Sequence, residues 1–477
     1  MPVIELSKPQ KNFRPVFNAI SILIALGLIA GAFFLVPRFE WKKPQVKITP
    51  DVDTIGLGSI DIDVTEEGTG LKSLNATLTS GGSEVVLANE QFDSRVMQKK
   101  ITLALSAKMA GLKEGPAVLR IKAQDRSLWN FFRGNQTNIE KNVTIDVTPP
   151  TIELIADDRY VNFGGVGVIV YKPSPDTISS GVKIGKYVFP GYKGQLKDPA
   201  QYLAFFAHPY NISEDEHATL FAADKAGNMR EMKLSYTLKE VRYKKSTIKL
   251  GDDFIQNKVV PLVNDAATKQ KSVKDIFVKV NTDLRKENED KIAEIGKKTA
   301  EKMLWEGPFV QLSNSKVEAN FADSRTYVYN DETLDHAYHL GFDLSVTKQY
   351  PVEASNSGVV AFTGDLGIYG NTVMIDHGLG LMTLYSHLSS IDVKVGDQIK
   401  QQQIIGKTGE TGFAGGDHLH FGVYLQGVPI LPKEWWDKKW INDNVLPKLE
   451  GKSSESVIEE GKEARKARKA ARAKKAA

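Results

Sequence analysis

Cysteine is missing from all 477 residues, which rules out disulfides and thiolate metal ligands together: any zinc site here has to be built from histidine and carboxylate. A strong field of one sign is missing too. Lys and Arg number 62 against 58 Asp and Glu, a formal net charge of +4, too small over this length to argue for a nucleic-acid partner. The basic excess collects at the C-terminus, where eight Lys or Arg stand against one acid from Lys462 onward. That stretch reads either as a basic helix on anionic lipid or wall polymer, or as a solvated tail. Long apolar runs are also scarce, with one exception. Between Val16 and Val36 only Asn18 and Ser21 are polar, leaving about 20 apolar positions, enough for a hydrocarbon core of about 30 Å. The run is longer than a signal-peptide core and reaches Pro37 without an Ala-x-Ala-like cleavage site. The sequence therefore predicts an uncleaved transmembrane anchor over residues 16–36, after a short segment 1–15. Lys8, Lys11 and Arg14 before it balance Arg38, Lys42 and Lys43 after it, so charge does not set its orientation.

Beyond the anchor the pattern turns to strands. Ile60, Ile62 and Val64 alternate with Asp61 and Asp63, and Leu119, Ile121 and Ala123 alternate with Arg120, Lys122 and Gln124, the period of half-buried strands. Thr49-Pro50 is echoed by Thr148-Pro149, and Ala123-Gln124-Asp125-Arg126 by Ala222-Ala223-Asp224-Lys225, an offset that suits tandem sandwiches over 45–148 and 149–242. The second copy, with Thr148-Pro149-Pro150 at its start and Ala223-Asp224-Lys225-Ala226-Gly227-Asn228 near its end, resembles bacterial immunoglobulin-like domains, which implies a stalk. Residues 243–304 change period: Val273, Ile276, Phe277, Val280 and Leu284 fall at helical spacing behind a Ser272/Asp275 capping box, and a second helix is predicted from Glu287 to Leu304 with Ile292, Ile295 and Met303 inward. This helical connector leads into a β domain over 305–446, and 447–477 is the basic tail. The fold class expected is mainly β: anchor, two immunoglobulin-like sandwiches, helical connector and a C-terminal β-rich domain.

Of the eight histidines, six fall between His336 and His420. Catalytic zinc takes three ligands from His, Asp and Glu and keeps a fourth position open. His339-Leu340-Gly341-Phe342-Asp343 places an imidazole and a carboxylate four residues apart, with Gly341 permitting the bend between them. In His418-Leu419-His420, positions i and i+2 of a strand point to one face, so one imidazole can bind metal while its neighbour handles protons. His387, in Tyr385-Ser386-His387-Leu388, is a further candidate for proton transfer. His336 is expected in a solvated loop and His377, in the turn Asp376-His377-Gly378, in local hydrogen bonding. Tyr369 and Tyr385 either border the groove or pack, and Trp435, Trp436 and Trp440 read as core.

These motifs resemble the lysostaphin-type, or LytM-like, zinc peptidases: His-x-Gly-x-Asp, Tyr-x-His-Leu and His-Leu-His-Phe stand complete and in order over roughly 325–440. The resemblance implies one zinc per chain held by His339, Asp343 and His420, with His387 and His418 as the catalytic pair, and hydrolysis of amide bonds in peptidoglycan. Asp417, where a small residue or proline often stands in the family, is a departure that bears on substrate preference. The resemblance implies peptidoglycan as partner and a periplasmic or extracellular location, with the anchor in the inner or plasma membrane. A rival expectation is a regulator that binds the wall and activates other hydrolases, working with an envelope regulatory protein.

Overall fold

The computed structural model describes residues 14–452 apart from positions 50, 52, 57 and 105–111, and beyond these only Glu463 and Lys466. The first segment up to residue 13 and the basic tail from residue 453 thus lie outside the described residues, apart from Glu463 and Lys466. A helix forms over Arg14–Leu35, where the anchor was predicted. Yet among the described residues no helix is long and apolar enough to cross a membrane. Ser21 interrupts the run, its hydroxyl bonded back to the Phe17 carbonyl. The unbroken apolar stretch after it, Ile22 to Leu35, rises only about 21 Å at 1.5 Å per residue, against about 30 Å of hydrocarbon. The transmembrane anchor, and the membrane-anchored location inferred from it, are corrected accordingly.

The described residues divide into two compact units, one reaching Pro149 and including Asp224–Asn228, the other holding Pro150–Ala223 and the chain from Met229 onward. In the first, a three-stranded sheet (Gln45–Thr49, Ser59–Thr65, Gln98–Ala104) accompanies a five-stranded one in which Gly115–Asp125 pairs with Leu71–Ser80 and Gln136–Ile145. The alternating residues read from the sequence fill its core: Ile60, Ile62 and Val64 meet Leu119, Ile121 and Ala123. The sequence echo has a structural counterpart here. Asp125 takes hydrogen bonds from the amide and the side chain of Asn135, which in turn donates to the Glu40 and Lys42 carbonyls. Asp224 holds Asn228 in the same way, and Asn228 donates to the Asp146 carbonyl. Both Asp–Asn clasps thus grip a segment well upstream.

The second unit holds two four-stranded sheets between Ile152 and Lys233 and an eight-stranded sheet around which the C-terminal domain is built. In the latter, the run Phe342–Ser345, Leu419–Leu425, Leu381–Ser386, Asn371–Asp376 is antiparallel throughout. Its central strands are buried on both faces, as in Leu381–Ser386, where even Thr383 and Ser386 are buried. Val373, Ile375, Leu381, Val423 and Leu425 share a core with Phe205, Trp305 and Trp435. Met374, Met382, Leu384 and Tyr424 face the helical segment through Phe277, Val280 and Ile292. Ser272 caps that segment as predicted, accepting from the Asp275 amide. The last helix, however, is Arg285–Gly296 and stops short of Leu304. Gly296 lies flat on Gly427, where a Cβ would come within 2.5 Å of backbone. The next residues abandon helical bonding because Asp376 captures the Thr299 hydroxyl and the Ala300 amide.

Glu434 ties two parts of this unit together. It is buried, and its carboxylate accepts from Asn162 Nδ2 at 2.6 Å and from the Val166 amide at 2.9 Å. Burial dominates these bonds and pushes the Glu434 carboxyl up to about 8. A carboxyl whose folded pKa lies above its unfolded value contributes stability that is complete below about 4.5 and is lost as pH rises through about 8. Melting temperatures of the wild type should therefore fall relative to Glu434→Gln, which mimics the neutral acid, between pH 5 and 9. Parallel curves for the two proteins would refute this.

Candidate metal centre

Strand register assembles the site. Asp343 pairs directly with His420 across the antiparallel ladder, and Ser386 pairs with His420 on its other side. His339 directly follows the strand Glu332–Tyr338, its amide bonded to the Asp323 carbonyl. His387 ends its strand at φ 62, a left-handed conformation that is uncommon for a non-glycine residue and suits a functional position. His418 precedes its strand in a bridge with Gly409. The five residues singled out in the sequence are thereby brought to one place, with ring centroids 4.8 Å apart for His339 and His420, 4.9 Å for His387 and His418, and 5.8 Å for His387 and His420.

Within the cluster, one atom each from His339, Asp343 and His420 lies within 4.8 Å of the others. His339 Nδ1 is 2.9 Å from the Asn320 carbonyl, so that nitrogen carries the proton and Nε2 presents its lone pair inward. That lone pair faces Asp343 Oδ1 at 2.9 Å and His420 Nδ1 at 3.0 Å, while His420 Nδ1 is 3.0 Å from the same carboxylate oxygen. The other ring nitrogen of His420 is buried without a partner. Acceptors converging in a buried space call for a cation, and two imidazoles with one carboxylate suit zinc. Burial works to raise Asp343, but His339, His418 and His420 overcome it and hold the carboxyl well below its usual range. Burial lowers His420 to about 4, leaving it neutral, as a ligand must be.

The two other histidines are oriented differently. His387 Nδ1 donates to the Thr411 carbonyl at 2.8 Å and His418 Nδ1 to the Gly416 carbonyl at 2.8 Å, so each turns Nε2 into the site. Burial, with His418 and His420 alongside, holds His387 well below its ordinary value. Burial pulls His418 down as well, but its bond to Asp343 outweighs this and leaves it raised.

Gly341 serves the site differently from the bend read in the sequence. A Cβ there would fall 2.5 Å from the Phe421 carbonyl and 2.7 Å from His420 Nε2, so the glycine makes room for the His420 ring. Gly341→Ala should weaken metal binding by about 10- to 100-fold, as other disturbances of ligand orientation do, read as metal retained after dialysis against graded chelator. Wild-type retention would sink the idea.

Sequence reasoning missed Arg325, whose guanidinium bonds Asp343 Oδ2 at 3.1 Å and fixes which oxygen faces the histidines. Nothing in the motifs points to it. His377 is buried, donates to the Ser357 carbonyl and accepts from Thr383, in keeping with local hydrogen bonding. His336 is exposed but lies on the strand Glu332–Tyr338 rather than a loop. Tyr385 is structural, its hydroxyl engaged by Ser355 and Thr383. Tyr369 is buried with its ring 5.6 Å from His420. Asp417 pins two loops, accepting from Thr408 and the Gln349 amide. Trp435 is buried, and Trp436 stacks on Phe421.

A His-Asp-His cluster that could hold a metal ion, with two more imidazoles at its edge, is the arrangement this domain presents. Residues 337–432 match the model of peptidase family M23, and the C-terminal domain is a member of that family. The chain is 42% identical over 111 residues to the DD-carboxypeptidase/endopeptidase Mpg of Neisseria meningitidis serogroup B, covering 23% of this chain and 26% of that protein. It is 32% identical over 162 residues to the stage II sporulation protein Q of Bacillus subtilis, covering 32% and 56%. It is 36% identical over 118 residues to the peptidoglycan DD-endopeptidase ShyA of Vibrio cholerae, covering 25% and 27%. The chain therefore spans between about a quarter and just over half of these relatives.

Proposed function

We propose that the chain is a zinc-dependent endopeptidase that cuts the peptide cross-links or stem peptides of peptidoglycan. The observation that carries this reading is the convergence of His339, Asp343 and His420 in a buried space beside two imidazoles that are not needed as ligands. Two relatives whose names include endopeptidase activity, one of them on peptidoglycan, support the reaction and the substrate class.

In this reading His339 Nε2, Asp343 Oδ1 and His420 Nδ1 hold the ion. A zinc ion so held supplies Lewis acidity, polarising a carbonyl and acidifying water. His387 and His418 do the proton work: one Nε2 takes a proton from the attacking water while the other donates to the oxyanion or the leaving amine. Arg325 keeps Asp343 turned toward the ligand histidines. The carbonyls of Thr411 and Gly416 accept from Nδ1–H of the two catalytic rings, so each presents Nε2 to the site: unprotonated in the ring that takes a proton, and protonated, the ring then being an imidazolium, in the one that donates.

Purified peptidoglycan incubated with the protein, with and without a chelator, tests the reading. Peptide fragments identified by mass spectrometry should appear, cease with chelation and return with zinc. Binding to the wall with no release would favour instead a regulator of other hydrolases, a reading kept open by the relative named for sporulation.

A further inference from the structure

Far from the histidines, the first unit holds a second group of converging ligands. Glu40, Glu66 and Asp125 each place a carboxylate oxygen within 4.8 Å of the others. Glu66 is 4% exposed, and its Oε2 is buried with no hydrogen-bond partner, although Oε1 accepts from the Gly68 amide. Glu40 is held in place by the Thr69 amide, and Asp125 by the amides of Ser127 and Asn135 and the Asn135 side chain. Nearby cations are engaged elsewhere. Lys42 pairs with Glu67, Arg95 reaches the Gly68 carbonyl and Arg126 the Leu71 carbonyl. Three carboxylates thus meet, with donors on Glu40 Oε2, Glu66 Oε1 and both oxygens of Asp125, and with none of the cations just named between them.

From this geometry we infer a calcium site formed by Glu40, Glu66 and Asp125. An all-oxygen donor set of carboxylates suits a hard divalent cation, and its irregular arrangement suits calcium over magnesium, which demands a near-ideal octahedron. Glu66 Oε2, the buried oxygen without a donor, belongs to a carboxylate within 4.8 Å reach of Glu40 and Asp125. The location also explains what the ion does. Ser127 and Asn135 already bond the carbonyls of Glu40, and Asn135 that of Lys42, so an ion bridging Glu40 to Glu66 and Asp125 locks the segment entering the first sandwich onto its end. The Asp–Asn clasp recurs at Asp224 and Asn228.

Calorimetric titration of the full chain with calcium chloride, its histidine site first saturated with zinc, should show one site with a dissociation constant of about 10⁻⁴ to 10⁻³ M. Calcium at about 100-fold above that constant should raise the unfolding midpoint of the first unit by about 10 °C. Glu66→Gln removes a buried charge and should fold at least as well without calcium, yet lose both the heat of binding and the calcium-dependent shift. Magnesium should produce a smaller shift in the wild type. Absence of calcium binding at millimolar concentration would overturn the inference, as would binding that survives intact in both Glu66→Gln and Glu40→Gln.

Discussion

His420→Ala should release no peptide fragments from peptidoglycan above the level of a chelated control, a loss of about 10³-fold or more. The physical reason is that the ligand set has no spare member. His339, Asp343 and His420 are the one His/Asp/Glu group with histidine found to converge among the described residues, so deleting one imidazole leaves a two-ligand site. The ring is itself buried, with both its neighbours, Leu419 and Phe421, in the core. Alanine there leaves strand pairing with Asp343 and Ser386 untouched, since that pairing is backbone. The variant should therefore keep its circular dichroism and most of its melting temperature while losing bound zinc after dialysis, and His339→Ala should behave alike. Fragment release that persists in His420→Ala, or that is indifferent to chelation of the wild type, would sink the metal-dependent reading.

The site was legible in the sequence because its parts are local. His339 and Asp343 lie four residues apart and His418 and His420 two, so short patterns sufficed, and the strand ladder then brought the patterns together. What supports those residues was not legible, and the reason is physical. The Thr411 and Gly416 carbonyls that orient the two histidines are backbone groups, which any residue could supply. Arg325 acts from another strand, 18 positions before its partner. The Glu434–Asn162 contact joins residues 272 apart and depends on the tertiary fold alone. Apolar periodicity found the helix around Ile292 but not its end, because Asp376, a residue of a distant strand, offers the next amides a better partner than another helical turn. The Val16–Val36 run shows the converse. The apolar run suggested a span, yet among the described residues no helix is long and apolar enough to cross a membrane. The faint echo of Asp125 in Asp224 was legible as a repeat, but its meaning as a clasp on an upstream segment required the positions of Asn135 and Asn228.

His387→Ala and His418→Ala should each lower turnover by about 10²- to 10⁴-fold, the range for loss of one general acid–base group, while zinc content stays at the wild-type level. The split between activity and metal is the informative part, because it separates proton transfer from ligation. His387 points Nδ1 at Thr411 and lies against His418 and His420 without a bond to Asp343. His418 Nε2 stands 3.5 Å from Asp343 Oδ1, farther than either proposed ligand, and its loss should perturb the metal little. His387 carries an additional complication, since its backbone occupies the left-handed region. Alanine tolerates that conformation less well than asparagine does, so His387→Asn is the sharper variant: it keeps a residue suited to the turn and removes the imidazole. If His387→Asn folds, binds zinc and is inactive, the ring does chemistry and the strain is its scaffold. If activity instead falls only in proportion to lost zinc in these variants, the two histidines belong to the coordination sphere, and the proton must be moved by another group.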